Sequence, residues 1–404
     1  MNAVGIDVSK GKSMIAVIRP FGEIVAAPYE VNHTPNDLKS LVKFLKSMDG
    51  ETRVVMEYTG RYFEPIAQVL YEAGIFVSVV NAILVHDYGV NTIRRGKTDK
   101  KDALKLANYA LDRWADLIEY IPENEIRRAL KVYNRQYHQY VKLKVMLKNN
   151  LINLLDQTFP GINTLFNSPP RKADGHEKWI DFAEKFWHCD CVCRLSLNVF
   201  KEHYRKWCLK AGYYYKESKA EEIYEKAGCK IATLPKTDNT KLILVQAILQ
   251  LNMITETLAA ITHEMQQLST RLPEYPVVMA MYGVGDKLGP QLIAEIGDVR
   301  RFNGKKALVA FAGLDAPPYQ SGTFEAQSRH ISKRGSASLR KTLYQVMVCL
   351  LRTMPANEPV YQFLDKKRAE GKHYNVYMIA AANKFLRIYY ARIREHLDQL
   401  DYIA

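Results

Sequence analysis

Four carboxylates early in the chain have the types and order that metal-assisted phosphoryl transfer requires. Asp7 stands inside the apolar run Val4-Gly5-Ile6-Asp7-Val8. A charge in such a strand is costly unless it is paired or coordinated. Glu57 closes a second apolar run, Val54-Val55-Met56-Glu57, and Asp99 and Asp102 lie in Lys97-Thr98-Asp99-Lys100-Lys101-Asp102-Ala103. If a helix opens there, the i, i+3 spacing puts both aspartates on one face. Two strand-borne carboxylates converging on two helix-borne ones can hold a pair of Mg²⁺ ions for in-line displacement at phosphorus. Each residue also has a plainer reading, Asp99 as a helix N-cap and Asp102 as a first-turn dipole residue.

Two further constellations lie in the last third. Tyr282-Gly283-Val284-Gly285-Asp286-Lys287-Leu288-Gly289-Pro290 reads as a glycine hairpin between helices. Its backbone N–H groups, with Lys287, suit a phosphate, as in helix-hairpin-helix motifs, although a tight turn without a ligand has the same sequence. Downstream, Ser321 precedes Gly322, where an exposed turn would leave its hydroxyl accessible. Arg329, Lys333, Arg334, Arg340 and Lys341 follow. These cations suit a scissile phosphate and its charged transition state. A serine needs activation to attack phosphorus, so a phosphate-binding turn with no covalent role also fits.

Other signals are discounted. Cys189, Cys191 and Cys193 lack the Cys-x₂-Cys pairing of structural zinc sites. His86 and His263 have no partner visible in the sequence. The Gly5-Ile6-Asp7 opening also suits sugar-kinase and actin-like ATPase folds, but the last third offers no second half of that kind.

The elements that must position these residues follow from periodicity. Residues 3–8, 13–18, 53–56 and 75–80 read as strands, with a further strand after the turn at Gly22. Residues 35–48, 62–73 and 99–111 have helical spacing. This is an α/β pattern. Residues 124–158 and 239–268 each read as one long helix with apolar steps of three and four, which fits an antiparallel pair, a coiled-coil arm or a bundle core. Residues 160–238, between them, read as an inserted helical subdomain, and Pro273 and Pro276 mark a boundary. The expected division is 1–120, 121–275 and 276–404.

Composition narrows the partners. Lys and Arg total 57 against 43 Asp and Glu, a net charge of +14. Residues 1–120 are balanced at 15 and 15, so the surplus falls in the last two thirds and favours a polyanion. No unbroken apolar run approaches a membrane span; the longest is 376–382. The first residues lack a signal-peptide layout, and six cysteines are too few for a disulfide scaffold, so a cytoplasmic protein is expected.

Gly5-Ile6-Asp7-Val8-Ser9-Lys10, Glu57-Tyr58-Thr59-Gly60 and Lys97 to Ala103 resemble the DEDD-type insertion-sequence transposases. Gly283-Val284-Gly285, Gly313-Leu314, Ser321-Gly322 and Ile331-Ser332-Lys333-Arg334-Gly335 resemble that family's C-terminal transposase domain. The family includes the bridge-RNA-guided recombinases. The resemblance covers roughly residues 1–158 and 239–385 and leaves 160–238 unmatched. It implies a ribonuclease-H-like N-terminal domain of the Holliday-junction-resolvase kind, in which Asp7, Glu57, Asp99 and Asp102 hold Mg²⁺. It implies a helical coiled-coil middle that makes a homo-dimer or tetramer, and a helical C-terminal domain. It also implies a serine, matched by Ser321 with Thr323 and Ser328 as backups, that links covalently to DNA. A structured guide RNA would pair with target and donor DNA. Two other readings fit the same residues: a structure-selective Mg²⁺ nuclease using water, and a non-catalytic nucleic-acid-binding protein.

Overall fold

The computed structural model describes residues 1–88, 98–171, 173–318, 320–321, 324–325 and 329–403. It packs into two units, Met1–Glu123 and Asn124–Ala404.

The first unit is built on one mixed sheet. Its strands are β1 (Asn2–Ser9), β2 (Lys12–Arg19), β3 (Glu23–Asn32), β4 (Thr52–Glu57) and β5 (Phe76–Val80), in the order β3-β2-β1-β4-β5. The short turns at Gly11 and Gly22 make β1, β2 and β3 an antiparallel meander. Helix α1 (Pro35–Lys46) carries the chain to β4, and α2 (Glu64–Glu72) carries it to β5. These crossovers make β1, β4 and β5 parallel. Alternation gives the sheet two buried faces. Val4, Ile6, Val8, Val54 and Met56 pack with Leu38, Leu41, Ile66 and Leu70 of α1 and α2. Ala3, Ile18 and Val55 face the other way, under Leu106, Ala107 and Ala110 of α4 (Asp99–Asp112). A short helix, α3 (Ala82–Tyr88), which the sequence reading leaves out, adds Val85 to that second core. The expected α/β domain is therefore present, with helices on both faces.

The second unit is helical apart from one small hairpin. Two long helices span it, α5 (Glu125–Leu155) and, after the inserted segment, α10 (Asp238–Thr270). The insertion folds as α6 (Lys178–Lys185), α7 (Asp190–Cys193), α8 (Leu197–Lys210) and α9 (Glu217–Gly228) around Phe182, Phe200 and Tyr204. Helices α5 and α10 run antiparallel. Leu130 shares a core with Met265, whereas Leu151 and Leu155 share another with Leu244 and Ile248. By length and composition α10 is apolar enough to cross a membrane, which an unbroken-run test misses because Gln246, Gln250 and Asn252 interrupt it. Its buried residues close the protein's own cores.

The remainder comprises α11 (Tyr275–Met279), α12 (Leu288–Ile296), α13 (Lys305–Phe311), the strands β6 (Gln320–Ser321) and β7 (Phe324–Glu325), α14 (Ala337–Thr353), α15 (Pro359–Ala369) and α16 (Tyr374–Ile403). Their core includes Leu292, Leu308, Leu343, Phe385 and Tyr389. A buried ion pair ties its ends together. Arg127 at the start of α5 donates both terminal guanidinium nitrogens to Glu274, before α11. The bidentate geometry satisfies both carboxylate oxygens, as a buried charge pair requires.

Candidate functional site

The N-terminal carboxylates are placed by strand register and one glycine. On β1, Ala3, Gly5 and Asp7 share a face, because side chains alternate. On β4, Val55 and Glu57 share the same face. The parallel register pairs Gly5 with Val55 and Ile6 with Met56. One further step sets Asp7 beside Glu57, roughly one inter-strand spacing of 4.8 Å away. Both stand at the C-terminal ends of adjacent parallel strands, and both are half-buried.

Helix α4 crosses this face at Gly5. A Cβ there would sit 2.0 Å from the Ala103 carbonyl oxygen and 2.3 Å from the Ala107 nitrogen. Only glycine lets the helix lie this close to the strand. The later residues Leu106, Ala107 and Ala110 pack over Ala3 and Ile18, so the first turn points toward the Asp7 end. That turn opens at Thr98, whose Oγ1 accepts from the Lys101 N–H. Thr98 is therefore the N-cap, and Asp99 and Asp102 are left as first-turn carboxylates. Asp99 is exposed and Asp102 half-buried. Lys12, at the hairpin end of β1 and β2, holds its proton more tightly than usual. The main causes are its 2.7 Å bond to Glu30 and the charge of Glu30, and Asp99 adds a smaller pull.

Asp7 and Glu57 thus share one sheet face near the ends of adjacent strands, and Asp99 and Asp102 open the helix that crosses that face at Gly5. Their oxygen donors fit a hard divalent cation. Among the described residues, no group of three or more His, Cys, Asp or Glu stands close enough together to hold a metal ion. Register and helix placement bring the carboxylates to one end without closing a ligand shell. Gly5→Ala is expected to push α4 off this face. It should destabilise the protein by about 1–3 kcal/mol, read as a lower denaturant midpoint at unchanged slope.

In the second unit the sequence motifs form a brace. The stretch Ile331–Gly335 runs along Phe311–Asp315. Lys333 N–H donates to the Gly313 carbonyl at 3.1 Å, Ser332 N–H to the Asp315 carbonyl at 2.8 Å, and Ser336 N–H to the Phe311 carbonyl at 2.9 Å. A Cβ on Gly335 would lie 2.3 Å from the Phe311 carbonyl oxygen, so this close approach also needs glycine. The Ser332 hydroxyl donates to Asp315 at 2.5 Å. Ser336 caps α14 and donates to Glu295 at 2.7 Å, and Asn134 of α5 donates to the other Glu295 oxygen at 2.8 Å. Asp315, Glu295 and Asn134 carry this brace, and no local sequence pattern marks them.

The brace determines where the expected phosphate-binding cations stand. Arg329, Lys333, Arg334 and Lys341 are exposed. Arg340 is not simply a free phosphate ligand, because one guanidinium nitrogen donates to the Ala312 and Gly335 carbonyls. Ser321 is expected on an exposed turn. It ends the two-residue strand β6, paired with Phe324 of β7. The hairpin departs from the all-helical expectation for this region. Gly322, Thr323 and Ser328 lie outside the described residues.

The glycine hairpin between α11 and α12 divides into two roles. Gly283 has φ +77°, and a Cβ there would meet the Val346 carbonyl at 3.0 Å, so packing and backbone explain it. Gly285 has open space around it, and Lys287 is exposed. In the cysteine cluster, burial raises the Cys189 thiol to about 11 and Cys193 in the same direction. These thiols stay protonated and are poor ligands and nucleophiles.

Two transposase family models match the chain. A DEDD-type IS110 transposase model matches residues 4–160, and a model described as "Transposase IS116/IS110/IS902 family" matches residues 275–362. The chain is 22% identical to the pilin gene-inverting protein of Moraxella bovis, over 85% of this chain and 80% of that protein. It is 21% identical to the 44.8 kDa protein of insertion element IS116 from Streptomyces clavuligerus, over 97% of this chain and 94% of that one. Among solved structures, Thermus thermophilus RuvC overlays with 14% identity and a TM-score of 0.23, covering 30% of this chain and all of that one.

Proposed function

The chain belongs to the IS116/IS110/IS902 family of transposases, enzymes that cut and rejoin DNA, and from that membership we propose that it is an RNA-guided, Mg²⁺-dependent DNA recombinase of an insertion sequence. The observation that carries the reading is the convergence of Asp7, Glu57 and the first turn of α4 on one end of one sheet face. The name of the Moraxella relatives ties them to gene inversion, and strand exchange is the same class of chemistry.

Asp7, Glu57, Asp99 and Asp102 would hold the metal, which supplies Lewis-acid polarisation of the scissile phosphate. The residues of the chain do the rest. Ser321 Oγ would attack phosphorus, form a phosphoserine ester and release a 3′-hydroxyl. A second 3′-hydroxyl would then displace the serine, so that one phosphoester replaces another and no ATP is needed. Arg329, Lys333, Arg334 and Lys341, with Gly285 and Lys287 on their own hairpin, would neutralise flanking phosphates. Gly283 and Arg340 would shape that surface.

The functional division would follow 1–120, 121–275 and 276–404. The middle region would dimerise or tetramerise through α10, where Leu249 and Met253 are 50% and 65% exposed on one stripe. Target DNA, donor DNA and a structured guide RNA would be the partners, in the cytoplasm and without a membrane. The test is to purify the protein from its native host and sequence the RNA that accompanies it. One discrete, structured RNA encoded beside the gene is expected. A smear of unrelated RNA, or none, would overturn the guided reading.

A further inference from the structure

A groove of about 1250 Å³ opens in the second unit along α16, and its chemistry is not that of a general basic surface. Lys305, Arg329, Lys333, Lys384, Arg387 and Arg392 line it, and none of its described lining residues is acidic. Its floor is apolar and includes Leu314, Ile331, Ile379 and Ile388. Helix α16 makes this possible by having two different faces. Met378, Leu386, Tyr389 and Ile393 are buried in the core, and the groove receives Ile379, Asn383 and Arg387 instead. Lys384 is held at the edge by the Pro359 carbonyl at 2.8 Å and by the Phe363 ring, whose centroid is 4.9 Å away.

We propose that this groove holds an unpaired DNA strand on its way to Ser321. The proposal deepens the recombinase reading and rests on it. Cations such as Lys305, Arg387 and Arg392, with no acid among the described lining residues, match a phosphate backbone, and each contact releases counterions. The apolar floor matches base faces, which a duplex hides and an unpaired strand presents. Asn375 and Asn383 add amides that suit exposed base edges. The assignment to the cut DNA strand comes from chain continuity. Ala316 and Arg329 both line the groove, and in sequence they flank the paired strands β6 and β7, the first of which ends at Ser321. A strand lying in the groove therefore contacts residues on both sides of that hairpin in the sequence.

The test uses the full-length protein, with a fluorescent oligothymidylate, an oligouridylate and a duplex of equal length as probes. Arg387→Ala with Arg392→Ala is expected to weaken oligothymidylate binding about tenfold or more. It should also make the log–log salt dependence shallower by about 1.4, from two lost phosphate contacts at 0.7 each. An oligothymidylate carrying 5-iododeoxyuridine should photocrosslink the unsubstituted protein to peptides of α16, a readout that needs no variant to fold. Unchanged affinity in the double variant, crosslinks confined to the first unit, or tighter binding of the oligouridylate or duplex would each overturn the proposal. Ser321→Ala separates the two claims. If it binds the strand as before but still joins DNA, the groove stands and the covalent role of Ser321 falls.

Discussion

Asp7→Asn is expected to abolish strand cleavage while the protein remains folded. The substitution keeps the shape of the side chain and removes its charge. In the fold, Asp7 and Glu57 end neighbouring parallel strands on the same face, one register step beyond the Ile6–Met56 pair. Activity should fall by at least about 10²–10³, the loss typical when one group that stabilises transition-state charge is removed. Mn²⁺ binding, followed by electron paramagnetic resonance, should weaken in the same variant, and that readout does not depend on turnover. Activity lost from a variant that stays folded marks a residue kept for function. If Asp7→Asn cleaves DNA at the normal rate, the carboxylate site is misassigned. If it unfolds, Asp7 is a structural charge whose partner holds the sheet. Glu57→Gln is the parallel test and should behave alike.

How much of this site the sequence discloses depends on what each residue does. Asp7 and Glu57 stand out because each carboxylate interrupts or ends an otherwise continuous apolar run, the mark of a strand buried on both faces. The long helices Glu125–Leu155 and Asp238–Thr270 were equally plain, since many apolar steps of three and four agree. The role of Gly5 is not readable in this way. A glycine in a strand leaves no signature, and its importance appears only when Ala103 and Ala107 press against it. Thr98 rather than Asp99 is the N-cap, because either residue type can cap and only backbone geometry decides. The hairpin around Ser321 has strands of two residues, too short for any period. The Asn134–Glu295–Ser336 link joins residues far apart in sequence, so no local pattern can reveal it. Local order is thus written in repeats, whereas close approaches and long-range polar links exist only once the chain has folded.

Ser321→Ala is the second large effect, and it separates the recombinase from a nuclease. With the hydroxyl gone, no phosphoserine can form. DNA labelled on the strand that bears the new 5′-phosphate should no longer migrate with the protein on a denaturing gel. Strand joining should fall on the order of 10⁶-fold, the loss seen when the hydroxyl nucleophile of subtilisin is removed. Binding to DNA should persist, because the cations at Arg329, Lys333 and Arg334 are exposed and untouched. Thr323→Ala and Ser328→Ala should each retain the adduct. If either loses it while Ser321→Ala keeps it, the nucleophile moves to that residue and the covalent mechanism stands. If Ser321→Ala still cuts branched DNA at the normal rate and no variant or parent forms an adduct, water is the nucleophile. The four carboxylates would then carry the reaction alone. In that case Arg334→Ala should weaken binding without changing the cleaved bond, because a phosphate contact positions the strand and does not choose the attacking oxygen.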